Sequence, residues 1–256
     1  MRNFFQYVAD PMHQFVIQEW IELPRLFGYN ISFTNSSGFM LLGVILTIAL
    51  FGYAASRGQL VPNRLQSIGE IGYGFVADMI RGTAGEEGLK FFPFVFTLFF
   101  FIFFANMIGM SPYAFTTTSH LVVTAALALL VISIVIIYGF AKNGLKFLKL
   151  FAPSGAPWPI YLLLVPIELI SFFARPLTLS LRLFANMLAG HIMLKLFAGF
   201  AVTLFTLGGM YIALAPLAFF MGVALNALEF LVAGLQAYVF AILTCVYLND
   251  ALHPAH

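Results

Sequence analysis

Between Lys90 and Lys142 the chain runs for 51 residues without an Asp, Glu, Lys or Arg. As one helix at about 1.5 Å per residue, that stretch would span about 75 Å, more than twice the roughly 30 Å of a bilayer's hydrocarbon. It must therefore turn once, and Ser111-Pro112-Tyr113 supplies the break, with Thr116, Thr117 and Thr118 keeping the turn wet. Two membrane spans follow, about 91–110 and 120–141. The nine Phe among residues 91–104 read as lipid-facing or packing bulk. The rest of the chain agrees, with 62% apolar and only 9% charged residues, too little charge to clothe a soluble globule. A soluble enzyme, a disordered chain and a nucleic-acid-binding domain are excluded. The fold class is an all-α polytopic membrane protein. The net charge of +2 implies no polyanionic partner. Cys245 reads as a buried structural thiol, and no Cys/His spacing points to a metal or other cofactor.

The organisation reads as one membrane domain, 1–256, with about five membrane helices and one amphipathic helix at the interface. Residues 1–38 form an extramembrane arm carrying Asp10, His13 and other polar residues but no signal-peptide run. A first span covers Phe39 to about Ala55. Residues 57–82 alternate Arg64, Glu70, Asp78 and Arg81 with Leu65, Ile68, Ile71, Phe75, Met79 and Ile80, the pattern of a helix lying in the interface. A solvent-facing connector is the other reading. Residues 142–159 are a basic loop with Lys142, Lys146 and Lys149, and Trp158 at headgroup depth. Residues 160–251 are mostly apolar, with a weak break near Thr203–Gly209, and form a long, strongly tilted helical hairpin. Each arm is about twice the roughly 20 residues an upright span needs, and Pro166, Pro176 and Pro216 are expected kinks. Lys and Arg crowd the 56–90 and 142–159 connections, which places those connections and the C-terminus inside and the N-terminus outside.

The hairpin carries charges that lipid disfavours. Glu168, Arg175 and Arg182 are spaced by seven, about two helical turns, and share one face; Asn186 falls close to it, and His191 points to the opposite side. On the second arm Asn226, Glu229 and Gln236 lie near a common face. A buried Arg182–Glu229 pair that merely holds helices together is one reading. An intramembrane Arg costs about 2.5–3.5 kcal/mol by insertion scales, which favours a hydrated ion path. Asn106 is either a helix cap or a path residue. His120 reads first as an interfacial histidine, Lys195 as a snorkelling side chain, and Asp250, His253 and His256 as solvated terminal residues.

The stretch from Arg175 to His191, RPLTLSLRLFANMLAGH, resembles the signature of subunit a of F-type ATP synthases, called subunit 6 in mitochondria. Leu235 to Phe240 is similar to the second signature of that family. Pro11 to Phe15, Ile31 to Ser37 and Asn106 to Tyr113 resemble its remaining segments, so nearly the whole chain is covered. His191 and Glu229 are exchanged relative to many bacterial members, as in the mitochondrial and alphaproteobacterial branch. The resemblance implies a proton-conducting stator subunit of the membrane Fo sector, with two offset half-channels beside a rotating ring of c subunits. It implies that Arg182 faces the ring carboxylate, that Asn186, His191, Glu229 and Gln236 line the outer half-channel, and that Glu168 lies on the inner one. Asn106, His120, Arg175 and Asn226 are further candidates. No catalytic site is implied on this chain alone. The partners implied are the c ring, peripheral-stalk b-type subunits, the other ATP synthase subunits, lipid and protons. The location implied is a bacterial inner membrane, with the mitochondrial inner membrane as the alternative. Two other functions compete: a secondary ion transporter, which would show two related halves where none is seen, and a structural subunit of a respiratory complex.

Overall fold

The computed structural model describes residues 15–22, 32–58, 62–111, 114–151 and 158–253. The chemistry at Pro11 to Gln14, Ile31, Pro112 and Tyr113, the loop 152–157 and His256 lies outside the described residues. Two short strands, β1 (Glu19–Ile21) and β2 (Phe33–Thr34), pair antiparallel, and six long helices follow. They are α1 (Asn35–Arg57), α2 (Arg64–Gly88), α3 (Phe92–Gly109), α4 (Leu121–Asn143), α5 (Trp158–Leu207) and α6 (Ala215–Leu252). Among the described residues, five segments are long and apolar enough to cross a membrane, α2 and α3 together forming the second. The all-α, multi-pass expectation holds.

α1 starts at Asn35, four residues before the expected Phe39, because Thr34 and Ser37 cap it reciprocally. Thr34 N–H donates to Ser37 Oγ at 2.9 Å and Ser37 N–H donates to Thr34 Oγ1 at 3.4 Å. This is a capping box with serine in the acidic position. α2 starts at Arg64 rather than residue 57, since the Asn63 side chain accepts from Arg64 N–H. Its buried face is made of Gln66, Gly69, Val76, Ala77 and Ile80, while the expected apolar stripe divides. Met79 and Ile80 are buried; Leu65, Ile68, Ile71 and Phe75 are exposed, as a lipid-facing surface would be. The backbone breaks at Gly85.

The two long arms are longer than a bilayer requires. α5 has 50 residues and α6 has 38, about 75 and 57 Å at 1.5 Å per residue. α5 continues through Pro166 and Pro176. Pro216 is the second residue of α6, in the first turn, where a missing N–H costs nothing, so it is a starter and not a kink. The break between the arms falls at Gly208 and Gly209, whose φ values of 72° and 58° disfavour any residue with a Cβ.

The chain forms two compact units. The first holds the described residues of Met1–Val44, with Phe103–His120 and Leu183–Gln236. Its β1 strand is tied to the start of α1 by Asn35, whose Nδ2 donates to Val16 O at 3.2 Å and whose N–H donates to Gln18 O at 2.9 Å. The second holds Ile45–Ile102, Leu121–Arg182 and Ala237–His256. There the phenylalanines of α3 are packing bulk. Phe51 meets Phe96 and Phe100 at 4.6 and 4.4 Å between ring centroids, and Tyr73 meets Phe92 at 4.5 Å. Lys142 donates to Glu87 at 2.6 Å and so closes on α2 instead of standing free in a basic loop. The Lys149 and Trp158 side chains lie outside the described residues.

Candidate functional site

In the first unit α5 and α6 run antiparallel and bring His191 and Glu229 together. Nε2 of His191 lies 3.7 Å from Oε1 of Glu229, and both side chains are buried. The approach depends on Gly190. A Cβ there would lie 2.5 Å from Glu229 Oε1 and 2.7 Å from its Cδ, so only a residue without a side chain lets the carboxylate seat against α5. Among the described residues neither carboxylate oxygen has a hydrogen-bond partner. Gln236 is buried two turns further along α6, with its Nε2 likewise unpartnered among the described residues. An unpaired buried carboxyl is costly; beside an imidazole it is equipped to exchange a proton directly or through one water.

The turn between α3 and α4 is built into this site. Thr116, Thr117 and Thr118 are buried, not wet as expected, and the hydroxyls of Thr116 and Thr118 find partners within the protein. Thr116 Oγ1 donates to Gly109 O at 3.2 Å and lies 3.0 Å from His191 Nε2. Thr118 Oγ1 donates to Asn106 Oδ1 at 2.8 Å, and Asn106 Nδ2 donates to Ala233 O at 3.0 Å. Asn106 is therefore a tie between α3, the turn and α6, not a cap. His120 stacks on Phe115 at 4.9 Å, and burial pushes its imidazole below the ordinary value. Phe15 meets the His191 ring edge-on at 6.3 Å. Next to the pair a 390 Å³ cavity is lined by His191, Lys195, Asn226, Met110 and apolar residues of both arms. Asn186 is half-buried, and Asn226 is exposed apart from its share of that cavity.

In the second unit both arginines that helical spacing puts on one face act electrostatically on Tyr247, but their surroundings differ. Arg175 donates from Nη1 to Asp250 Oδ2 at 2.6 Å and lies over the rings of Phe172 and Tyr247, 5.9 and 5.4 Å from their centroids. Asp250 is thus a partner and not a solvated terminal residue, a link invisible in sequence because 75 residues separate the two. His253 contacts Asn249 Oδ1 at 3.3 Å. Arg182 is exposed and forms no ion pair among the described residues, and Glu168 is half-buried. Glu229, in the first unit, faces His191. Asp250→Asn leaves a half-buried cation unpaired and should cost about 1.5–3 kcal/mol, the worth of a hydrogen bond to a charged group. The check is a lower thermal midpoint of the subunit in detergent.

A multi-pass helical membrane protein with a buried acid–imidazole pair and a lone exposed arginine on its two longest helices belongs to the ion-translocating class. Residues 37–249 match the family model described as ATP synthase A chain. The chain is 73% identical over 244 residues to ATP synthase subunit a of Hyphomonas neptunium, covering 95% of this chain and 96% of that protein. It is 63% identical to the subunit a of Maricaulis maris, covering 97% and 99%, and 57% identical to that of Mesorhizobium japonicum, covering 97% and 98%. The chain belongs to the ATP synthase subunit a family.

Proposed function

We propose that the chain carries protons through two offset half-channels past a ring of c subunits, with Arg182 facing the ring carboxylate. As a member of its family, it is the proton-translocating stator subunit of the Fo sector. The observation that carries the finer reading is the buried His191–Glu229 approach of 3.7 Å. Protons enter from the outer side through the cavity beside His191, pass Glu229 and Gln236 with Asn186 and Asn226 as polar escorts, and load the ring. A protonated carboxylate crosses lipid, whereas an ionised one does so only at high cost. Arg182 is charged at any working pH. It draws the proton off the arriving site towards the Glu168 side and blocks direct leakage between the two half-channels. Each proton falling through 100 mV yields about 2.3 kcal/mol for rotation.

The length of α5 and α6 supports a strong tilt, which separates the mouths of the half-channels laterally. The same reading gives one membrane domain over 1–256, with the N-terminus outside and the C-terminus inside a bacterial inner membrane. It makes the c ring and peripheral-stalk b-type subunits direct neighbours. Glu229→Gln tests it: proton-driven ATP synthesis at saturating driving force should fall by about 10²-fold, the scale of a lost general acid or base. An unchanged rate makes Glu229 a packing residue.

A further inference from the structure

The Thr116 hydroxyl has one proton and two partners. It gives that proton to Gly109 O, 3.2 Å away, at the carboxyl end of α3. Its 3.0 Å contact with His191 Nε2 must then be made by a proton on the ring. The hydroxyl is held in place. Ser119 Oγ donates to Thr116 O at 2.6 Å, and the Thr118–Asn106–Ala233 chain anchors the turn to α6.

We propose that Thr116 is a positioning residue of the proton route: its hydroxyl keeps the proton of neutral His191 on Nε2, beside Glu229, and leaves Nδ1 to take the incoming proton. The inference rests on the route described above and names a residue that route does not include. An arriving proton bonds to the Nδ1 lone pair and gives an imidazolium. The charged ring then tips its Nε2–H from Thr116 Oγ1 to ionised Glu229, 3.7 Å away at rest, and the N–H bond breaks towards that carboxylate. Its electron pair stays on Nε2, leaving an Nδ1–H imidazole and a carboxylic acid. Reset is an exchange with water, in which Nε2 gains a proton as Nδ1 releases one. Thr116 favours the reset state because only then are the bonds to Gly109 O and from His191 both made. In the opposite tautomer the hydroxyl must turn to Nε2 and abandon Gly109 O.

The titratable group facing His191 from α6 is Glu229, and Lys195, one turn along α5, shares its cavity. The turn between α3 and α4, α3 itself and the N-terminal segment face it with Thr116, Met110 and Phe15, none of which titrates.

The test is ATP-driven proton uptake by the whole complex in inverted membrane vesicles, per assembled complex and across pH. Thr116→Val keeps the shape and removes the hydroxyl, Thr116→Ala is a second hydroxyl-free variant, and Thr116→Ser keeps the hydroxyl. Expected are a roughly tenfold loss in both hydroxyl-free variants and a move of the alkaline limb to lower pH, because the imidazolium loses an acceptor. Thr116→Ser should restore rate and profile. Wild-type rates in Thr116→Val, or equal losses in all three variants with an unmoved pH profile, overturn the proposal. Arg182→Ala in the same vesicles separates the two readings. If it pumps, the route itself fails; if it is silent while Thr116→Val pumps normally, only the inference about Thr116 fails.

Discussion

Arg182→Ala should leave the subunit assembled and bring proton-driven ATP synthesis down by about three orders of magnitude. The guanidinium is exposed and without an ion pair among the described residues, so its removal breaks no ion pair there. On the proposed role, what is lost is its attraction for a ring carboxylate, about 4 kcal/mol at 4 Å and an effective dielectric near 20, which corresponds to nearly a thousandfold in rate. Arg182→Lys should fail as well. A lysine keeps a charge but not the planar, permanently protonated fork. The measurement is synthesis rate per assembled complex, and a rate within a few fold of wild type in either variant contradicts the role.

Gly190→Ala should have the second largest effect. The added methyl collides with the Glu229 side chain, at Oε1, Cδ and Cγ, and not with backbone. The helices therefore stay packed while the carboxyl leaves its place beside His191. Proton flux should fall by about 10²-fold, as for loss of a general acid or base, with the amount of assembled subunit unchanged. Wild-type flux would mean that the seat of Glu229 does not matter.

The contrast between these two positions shows what is legible in the sequence. Arg182 stands out because charge is scarce in a run that is otherwise apolar, and helical spacing places it on a face. The helices themselves, the break at Gly208 and the five apolar segments are legible for the same reason, since hydrophobic length leaves few alternatives. Gly190 is silent, because its role is to be absent where another helix delivers a carboxylate. Thr116 reads wrongly as a hydrated turn residue, since a local composition signal does not report that a histidine 75 positions away fills the space. Arg175 and Asp250 mislead likewise. Seven-residue spacing gives the direction of Arg175 on its own helix, but its partner comes from the far end of α6. Faces are local properties of a sequence; partners are properties of the packing. The start of α1 escapes on a smaller scale, because Ser37 does the work usually given to Glu or Gln at the third position of a cap.

The central claim is that the ionisable residues of α5 and α6 conduct protons. The most direct measurement is the ATP-driven pH change in sealed inverted vesicles, with and without sodium, for the wild type and Arg182→Ala. The expected result is acidification of the wild-type vesicles at the same rate in sodium-free and sodium-containing buffer, and none with Arg182→Ala. Acidification that persists in Arg182→Ala, or wild-type pumping that requires sodium, would contradict it.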